Sequence, residues 1–245
     1  MVEWTDTGII LSSRKHGETS VIIDVLTKEH GRHAGLVRGG VSRKWAPVLQ
    51  PGNQVALEWR ARLDEHLGSY KAELEKSRTS ILSDRLGLAA LGSITAIVQF
   101  AFPERMRLPA LYDATLGLLD QLSAGAPWLI DYALWEMMVL DDLGYGLDLT
   151  SCAATGSTDE LIYVSPKSGR SVSASGGADY ADRLLRLPAF LRGADVQGIS
   201  DIEVSLALTG HFLNAWLAPA LGKATLPDAR ARLVTLIGKL TDAKI

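Results

Sequence analysis

The first third of the chain alternates short apolar runs with polar breaks that contain glycine. Runs rich in β-branched residues and bounded by Gly17, Gly31, Gly39-Gly40 and Pro51-Gly52 are typical of strands joined by tight turns. They predict five strands, over residues 5–14, 19–27, 32–38, 54–62 and 68–75. Five strands within about 75 residues match the size of an OB-type β-barrel. We therefore expect a nucleic-acid-binding barrel of this type over residues 1–80.

The hydrophobic period changes to that of helices near Ser83. Ser83-Asp84 is suited to cap a helix, Pro109 to open one, and Gly125 to end one. The pattern predicts helices over residues 84–102, 109–122, 127–143, 179–185, 202–217 and 227–240. The fold class expected is α+β, with a helical domain over residues 81–245 after the barrel.

The composition is that of an ordinary globular protein. The 245 residues are 47% hydrophobic and 22% charged, with one cysteine and a formal net charge of −3. A lone Cys152 excludes a disulfide framework and fits a reducing cytosol, and early charges such as Glu3 and Asp6 argue against a secretory leader. We expect a cytoplasmic protein. Residues 86–102 are uncharged but contain glycines and polar side chains, which favours a buried helix over a membrane span.

Charge is distributed unevenly between the two parts of the chain. Residues 1–80 contain 12 Lys and Arg against 10 Asp and Glu, whereas the remainder contains 13 against 18. Between residues 28 and 44, five basic side chains stand against Glu29 alone, as expected of a domain that contacts phosphate. The candidate DNA-binding residues are Arg14, Lys15, Arg32, Arg38, Arg43 and Lys44.

Aromatic rings beside these cations have two interpretations. Trp45 follows Arg43-Lys44 and Trp59 precedes Arg60, so each ring could stack on a nucleobase or pack in the barrel core. Core packing is favoured for Trp59 and neither interpretation for Trp45. We expect His30 and His33 to be solvated or to face phosphate rather than to bind a metal.

Several short motifs follow one another along the chain in a recognisable order. The opening contains Trp4, then Gly8-Ile9-Ile10, then Gly17-Glu18-Thr19, then Arg38-Gly39-Gly40. Residues 180–188, 208–213 and 226–230 extend the match to nearly the whole chain. In this combination the chain resembles the RecO family of bacterial recombination mediators.

The resemblance implies a DNA repair protein that is not an enzyme. Such mediators bind single- and double-stranded DNA through the barrel and anneal complementary strands. They engage single-strand-binding protein and, with RecR, help to load recombinase onto gapped DNA. The chain has no nucleophile elbow, phosphate-binding loop or dinucleotide motif, so we expect no enzymatic activity, small-molecule substrate or membrane partner. The residues leave open an RNA-binding barrel or a protein-interaction scaffold without nucleic-acid binding.

Residues 147–177 resemble a zinc knuckle that has lost its ligands. Many RecO-like proteins have two Cys-x-x-Cys pairs here, which hold a structural zinc. In this chain Cys152 stands at the first position, Thr155 at the second, and Ser173 and Gly176 near the later pair. Zinc needs four nitrogen or sulfur donors, so we expect no metal and no other cofactor, with Cys152 as a small buried side chain.

The helical part has one candidate surface for a protein partner. Single-strand-binding protein ends in an acidic tail with a terminal aromatic residue, and such a peptide fits an apolar pocket edged by arginines. The candidates are Arg183, Arg186, Phe190 and Arg192. The alternative interpretation is a solvated helix edge.

Overall fold

The computed structural model describes residues 1–240. Residues 241–245, the end of the expected helical domain, lie outside the described residues. The chain forms two compact units. One contains residues 1–126 and 227–233, and the other contains residues 127–226 and continues from residue 234. The change from strands to helices falls near residue 80, as the sequence indicates, but the first unit also includes the two helices that follow it.

A closed five-stranded barrel forms the start of the first unit. Its strands are β1 (Val2–His16), β2 (Ser20–Thr27), β3 (Gly31–Val37), β4 (Gln54–Ala61) and β5 (Ser69–Lys76), in the order β1-β2-β3-β5-β4. Only the short β3–β5 contact is parallel. β1 pairs with β4 through its first half and with β2 through its second, and the register shifts between Ile10 and Ser12. One long strand therefore takes part in both pairings, and the expected OB-type barrel is confirmed.

Alternating side chains fill the barrel interior. β3 is buried at every second position, which is the period expected of a strand with one face inward. Trp59 is fully buried and donates its indole N–H to the Leu67 carbonyl at 3.1 Å, so core packing is confirmed for this ring. The apolar core is Ile10, Val21, Ile23, Val25, Val37, Leu49, Val55, Leu57, Trp59, Tyr70 and Ala72.

Two helices complete the first unit, after a 3-10 turn over Thr79–Ser83. Helix α1 (Arg85–Ala101) is capped by Asp84, whose carboxylate accepts the Gly87 N–H at 2.7 Å. Helix α2 (Pro109–Ala124) begins with proline and ends at Gly125, whose φ of 67° is in the left-handed region. Both helices lie where the sequence predicts them. α1 is largely buried, and within residues 1–240 no helix is long and apolar enough to cross a membrane.

The second unit combines helices with a small three-stranded sheet. Its helices are α3 (Leu129–Asp142) and α4 (Ile199–Phe212), then a π-helical turn over Leu213–Leu217 and the short α5 (Ala218–Ala220). Helix α6 (Asp228–Ile237) contributes residues to both units. The sheet contains β6 (Leu161–Val164), β7 (Ser171–Ser173) and β8 (Leu185–Arg186), in the order β7-β6-β8.

The helix expected over residues 179–185 is wrong. This stretch forms a 3-10 helix over Ala178–Arg183 and then enters β8. The backbone of β8 pairs with β6, with Leu185 opposite Val164, and the Leu187 N–H donates to the Ile162 carbonyl at 2.9 Å. Pairing with β6 thus satisfies backbone groups that a helix would have used internally, and local periodicity does not report such a distant partner.

Candidate nucleic-acid interface

Five of the six candidate DNA-binding residues lie at one end of the barrel. Arg14 and Lys15 are on the last turn of β1, opposite β2 in the hairpin. Arg38, Arg43 and Lys44 belong to the loop that leaves β3. The loop and the hairpin tip are joined because the Val41 N–H donates to the Thr19 carbonyl at 3.1 Å. We call this set the barrel-end cations: Arg14, Lys15, Arg38, Arg43 and Lys44.

The barrel-end cations are exposed and unneutralised. Within residues 1–240 none of the five makes an ion pair or a side-chain hydrogen bond, although Lys44 lies 5.6 Å from the Trp45 ring centroid. Other lysines of the unit are paired, for example Lys71 with Glu58 at 2.9 Å and Lys28 with Asp113 at 3.0 Å. A phosphate approaching the barrel-end cations therefore displaces no carboxylate, only water and counterions.

Arg32 is used differently, and we no longer assign it to the interface. Its guanidinium contacts Asp24 at 2.7 Å and donates through Nε to the Phe102 carbonyl at 2.9 Å, leaving the side chain 17% exposed. These partners come from β2 and from the end of α1. Binding a phosphate would break a charge-assisted hydrogen bond that is largely shielded from water.

A groove of about 590 Å³ extends the basic surface beside Arg38. Arg60, Arg62 and His66 contribute polar side chains to it, and Met1, Leu36 and Ala61 contribute apolar surface. Arg60 is paired with Glu3 at 3.1 Å, whereas Arg62 has no ion pair among the described residues. Part of the groove comes from the β4–β5 loop, which is a common oligonucleotide-binding element of OB folds.

Sequence reasoning did not select this groove. The available signal was the spacing of Arg60 and Arg62 at the end of β4, because residues two apart on a strand share a face. The groove also requires the start of β5, which approaches the end of β3 only through the parallel pairing of Leu36 with Ser69. Local sequence does not specify that pairing.

The aromatic and histidine residues are mostly structural. Trp4 stacks on His30 with ring centroids 4.0 Å apart, and His30 Nδ1 lies 2.9 Å from an Asp6 carboxylate oxygen. His33 is buried, with Nδ1 3.0 Å from the Ala34 carbonyl. Burial lowers the pKa of His33 to about 4, so it is neutral at physiological pH. The expectation that His33 faces solvent or phosphate is wrong, because its ring fills the barrel interior.

Trp45 is intermediate between the two interpretations. It is half-buried and packs against the barrel core, yet it lies beside the exposed Lys44. The ring thus helps to hold the loop that carries Arg43 and Lys44, and its outer edge remains near the basic surface.

The residues expected to bind a protein partner do not form one pocket edge. Phe190 is 5% exposed and belongs to the interior of the second unit. Arg192 donates to the Leu149 carbonyl at 3.2 Å and to the Thr158 carbonyl at 3.3 Å, so it ties two loop segments together. Arg183 and Arg186 are exposed, on the 3-10 helix and on β8. We therefore retain only these two arginines as partner-binding candidates.

Both parts of the chain match family descriptions. Residues 1–78 match Recombination protein O N terminal, and residues 82–227 match Recombination protein O C terminal. The chain belongs to the RecO family. The two matched regions meet close to the change from strands to helices after β5.

Curated relatives of this RecO-family chain are similar over nearly their full length. DNA repair protein RecO of Ruegeria sp. (strain TM1040) is 51% identical over 239 residues, which cover 97% of this chain and 99% of the relative. The protein of the same name from Roseobacter denitrificans is 53% identical over 236 residues, covering 95% and 97%. That of Rhodospirillum centenum is 52% identical, covering 95% and 94%.

Proposed function

We propose that this protein acts in recombinational DNA repair by binding single- and double-stranded DNA through the barrel-end cations and the adjoining groove. The observation that carries the proposal is the clustering of five exposed, unpaired cations on an OB-type barrel of a RecO-family chain. The net negative charge of the whole chain does not oppose this, since a local basic surface is what meets the DNA backbone.

The binding mechanism is neutralisation of phosphate. Arg14 and Lys15 on the hairpin, and Arg43 and Lys44 on the loop, would each displace condensed counterions from the strand, so affinity falls as salt rises. The groove at Arg38 and Arg62 has both cationic and apolar surface, which suits a nucleotide held by its phosphate and its base.

Strand annealing follows from this mode of contact. A protein that holds phosphates leaves the Watson–Crick edges of the bases exposed, so a complementary strand can pair with the bound one. Base pairing then reads the sequence and the protein does not need to. The interface accordingly has few amide side chains of the kind that read bases in the major groove.

We further propose that the second unit engages the acidic tail of single-strand-binding protein through Arg183 and Arg186. Both guanidiniums are exposed, and Arg183 has only a long contact of 3.8 Å with its neighbour Asp182. Together with RecR, such an arrangement would bring the DNA-binding barrel to gapped DNA and help to load recombinase there.

The central experiment is a DNA-binding titration of the double variant R43A/K44A. We expect weaker binding to every single-stranded oligonucleotide, with the slope of log affinity against log salt reduced by about two, because each lost phosphate contact contributes about one. Fluorescence anisotropy at several salt concentrations measures both quantities. A parallel competition with matched RNA distinguishes DNA from RNA as the preferred polymer.

The matched control is K28A/K71A, which also removes two lysine or arginine charges from the first unit. Because Lys28 and Lys71 are already paired with Asp113 and Glu58, we expect a smaller loss of affinity and slope. If R43A/K44A remains folded and binds like the unmodified protein, the DNA interface lies on another face.

A further inference from the structure

The four knuckle positions of the second unit converge on one point. A Cβ atom built on Gly176 would lie 2.9 Å from Cys152 Sγ, 3.0 Å from Ser173 Oγ and 3.2 Å from Thr155 Cγ2. The residues come from two separate stretches of chain, 152–155 and 173–176. Convergence of this kind is what a four-ligand metal knuckle requires of its backbone.

The two stretches also have the same turn. The Gly156 N–H donates to the Cys152 carbonyl at 2.9 Å, and the Gly177 N–H donates to the Ser173 carbonyl at 2.9 Å. Each turn thus presents its first and fourth residues to the common centre. A further bond from the Ala153 N–H to the Ser171 carbonyl, at 2.8 Å, holds the first turn against β7.

The side chains present do not fit zinc. Only Cys152 offers a donor of the kind that structural zinc uses, since Thr155 and Ser173 supply hydroxyls and Gly176 supplies nothing. Within residues 1–240 no group of three or more His, Cys, Asp or Glu could hold a metal. The centre is also filled, because the Cys152 sulfur itself contacts the positions that a metal would join.

The Cys152 sulfur accepts hydrogen bonds from both sides of the centre. The Ser173 N–H and hydroxyl lie 3.2 Å and 3.3 Å from it, and the N–H and hydroxyl of Thr155 also donate to it. Burial raises the pKa of the Cys152 thiol, but the bonds from Ser173 and Thr155 lower it further, to about 6. A sulfur with thiolate character is a strong acceptor, which suits it to the centre of such a cluster.

We propose that this chain has a metal-free knuckle, in which Cys152 Sγ takes the structural place of zinc by accepting hydrogen bonds from the two turns. The conformation of residues 147–177 is then independent of zinc and depends on the Cys152 sulfur. The surface that the knuckle supports, including the loop carbonyls bound by Arg192, persists where metal is scarce.

The first test replaces the sulfur in the full-length protein. In C152A we expect the amides at 155–156, 173 and 176–177 to exchange with deuterium about tenfold faster, because the hydrogen bonds to the sulfur are lost. C152S keeps an acceptor and should lie between C152A and the unmodified protein. EDTA should change neither the exchange nor the melting temperature of the unmodified protein. Faster exchange on chelation, or no effect of C152A, would overturn the proposal.

The second test rebuilds the metal site. The variant T155C/S173C/G176C places four thiols at the converging positions, and we expect it to bind one equivalent of zinc and to give the absorption of tetrahedral cobalt thiolate with Co²⁺. A control, A153C/A154C/S175C, puts the same number of cysteines at neighbouring exposed positions. If the first variant does not fold, T155C/S173C still offers three thiols without a side chain at Gly176. Folded variants that bind no more metal than the control would disprove the convergence.

Discussion

At the scale of single residues, the surroundings of a charge decide its role. Arg78 is buried with its side chain fully shielded, and Nε donates to an Asp120 oxygen at 2.8 Å while Nη1 donates to the Gly52 carbonyl at 2.9 Å. A buried guanidinium is tolerated only when its donors are satisfied. Arg78 therefore joins the end of the barrel to α2 and is not available to DNA, although in sequence it resembles the other cations.

Removing the Asp120 carboxylate should destabilise the first unit. We expect D120A to lower the free energy of unfolding by about 1–2 kcal/mol, because Arg78 is left buried with an unpaired charge while water reaches part of the vacated site. The control is D113A on the same helix, whose exposed pair with Lys28 should contribute less than about 0.5 kcal/mol. Urea unfolding at neutral pH measures both; equal losses would contradict the structural role.

The same pair predicts a pH dependence. Burial raises the pKa of Asp120, but hydrogen bonds from Lys76 and Arg78 lower it more, so it lies below its ordinary value. The folded protein then binds fewer protons than the unfolded chain. The contribution is complete at neutral pH and is lost as pH falls below about 4 through the folded pKa. The stability difference between D120A and the unmodified protein should therefore shrink in acid, as urea unfolding near pH 3 would show.

At the scale of elements, close contacts between strands determine the barrel. Gly35 on β3 faces the ring of Tyr70 on β5, and an added Cβ would lie 2.4 Å from that ring. These are the two strands that meet through the short parallel pairing. The approach of β5 to β3, which also forms the basic groove, thus requires a residue without a side chain at this position.

Substitution of Gly35 tests this contact. G35A should destabilise the barrel by about 1–3 kcal/mol, because the ring of Tyr70 must shift within a packed interior. G92A is the matched control: Gly92 lies within α1, its added Cβ meets no atom within 4 Å, and alanine should stabilise the helix by up to about 1 kcal/mol. Thermal unfolding of both variants distinguishes steric crowding from a general effect of alanine, and a stabilised G35A would refute the close approach.

At the scale of the whole molecule, the protein divides its tasks between the two units. The first presents the barrel-end cations, and the second presents Arg183 and Arg186 beside the metal-free knuckle. Variants of one surface should therefore leave the activity of the other intact. This independence allows DNA binding and peptide binding to be measured separately in one full-length protein.

The peptide surface is tested by R183A/R186A. We expect it to weaken binding of an acidic peptide with a terminal aromatic residue, while affinity for DNA stays unchanged, because charge-assisted contacts to the peptide are lost. The control R170A removes an exposed arginine of the same unit that is already paired with Asp148 at 3.3 Å. Isothermal titration calorimetry gives the peptide affinity. If both variants bind the peptide equally well, its pocket lies elsewhere.

Local sequence alone was enough to predict most elements and their ends. The alternation on β3, the Asp84 cap, Pro109 at the start of α2 and Gly125 at its end are properties of neighbouring residues, so they are readable along the chain. The same holds for the absence of four zinc donors around Cys152. Each of these features depends on residue types within a few positions of one another.

Only the tertiary structure decided which of these residues are available for function. Arg32 and Arg38 are similar in sequence, but Asp24 and the Phe102 carbonyl neutralise the first and nothing among the described residues pairs with the second. His33 and Phe190 are likewise removed from the surface by elements distant in sequence. The physical reason is that burial and ion pairing depend on partners brought together by folding, whereas periodicity and capping act within one turn or strand.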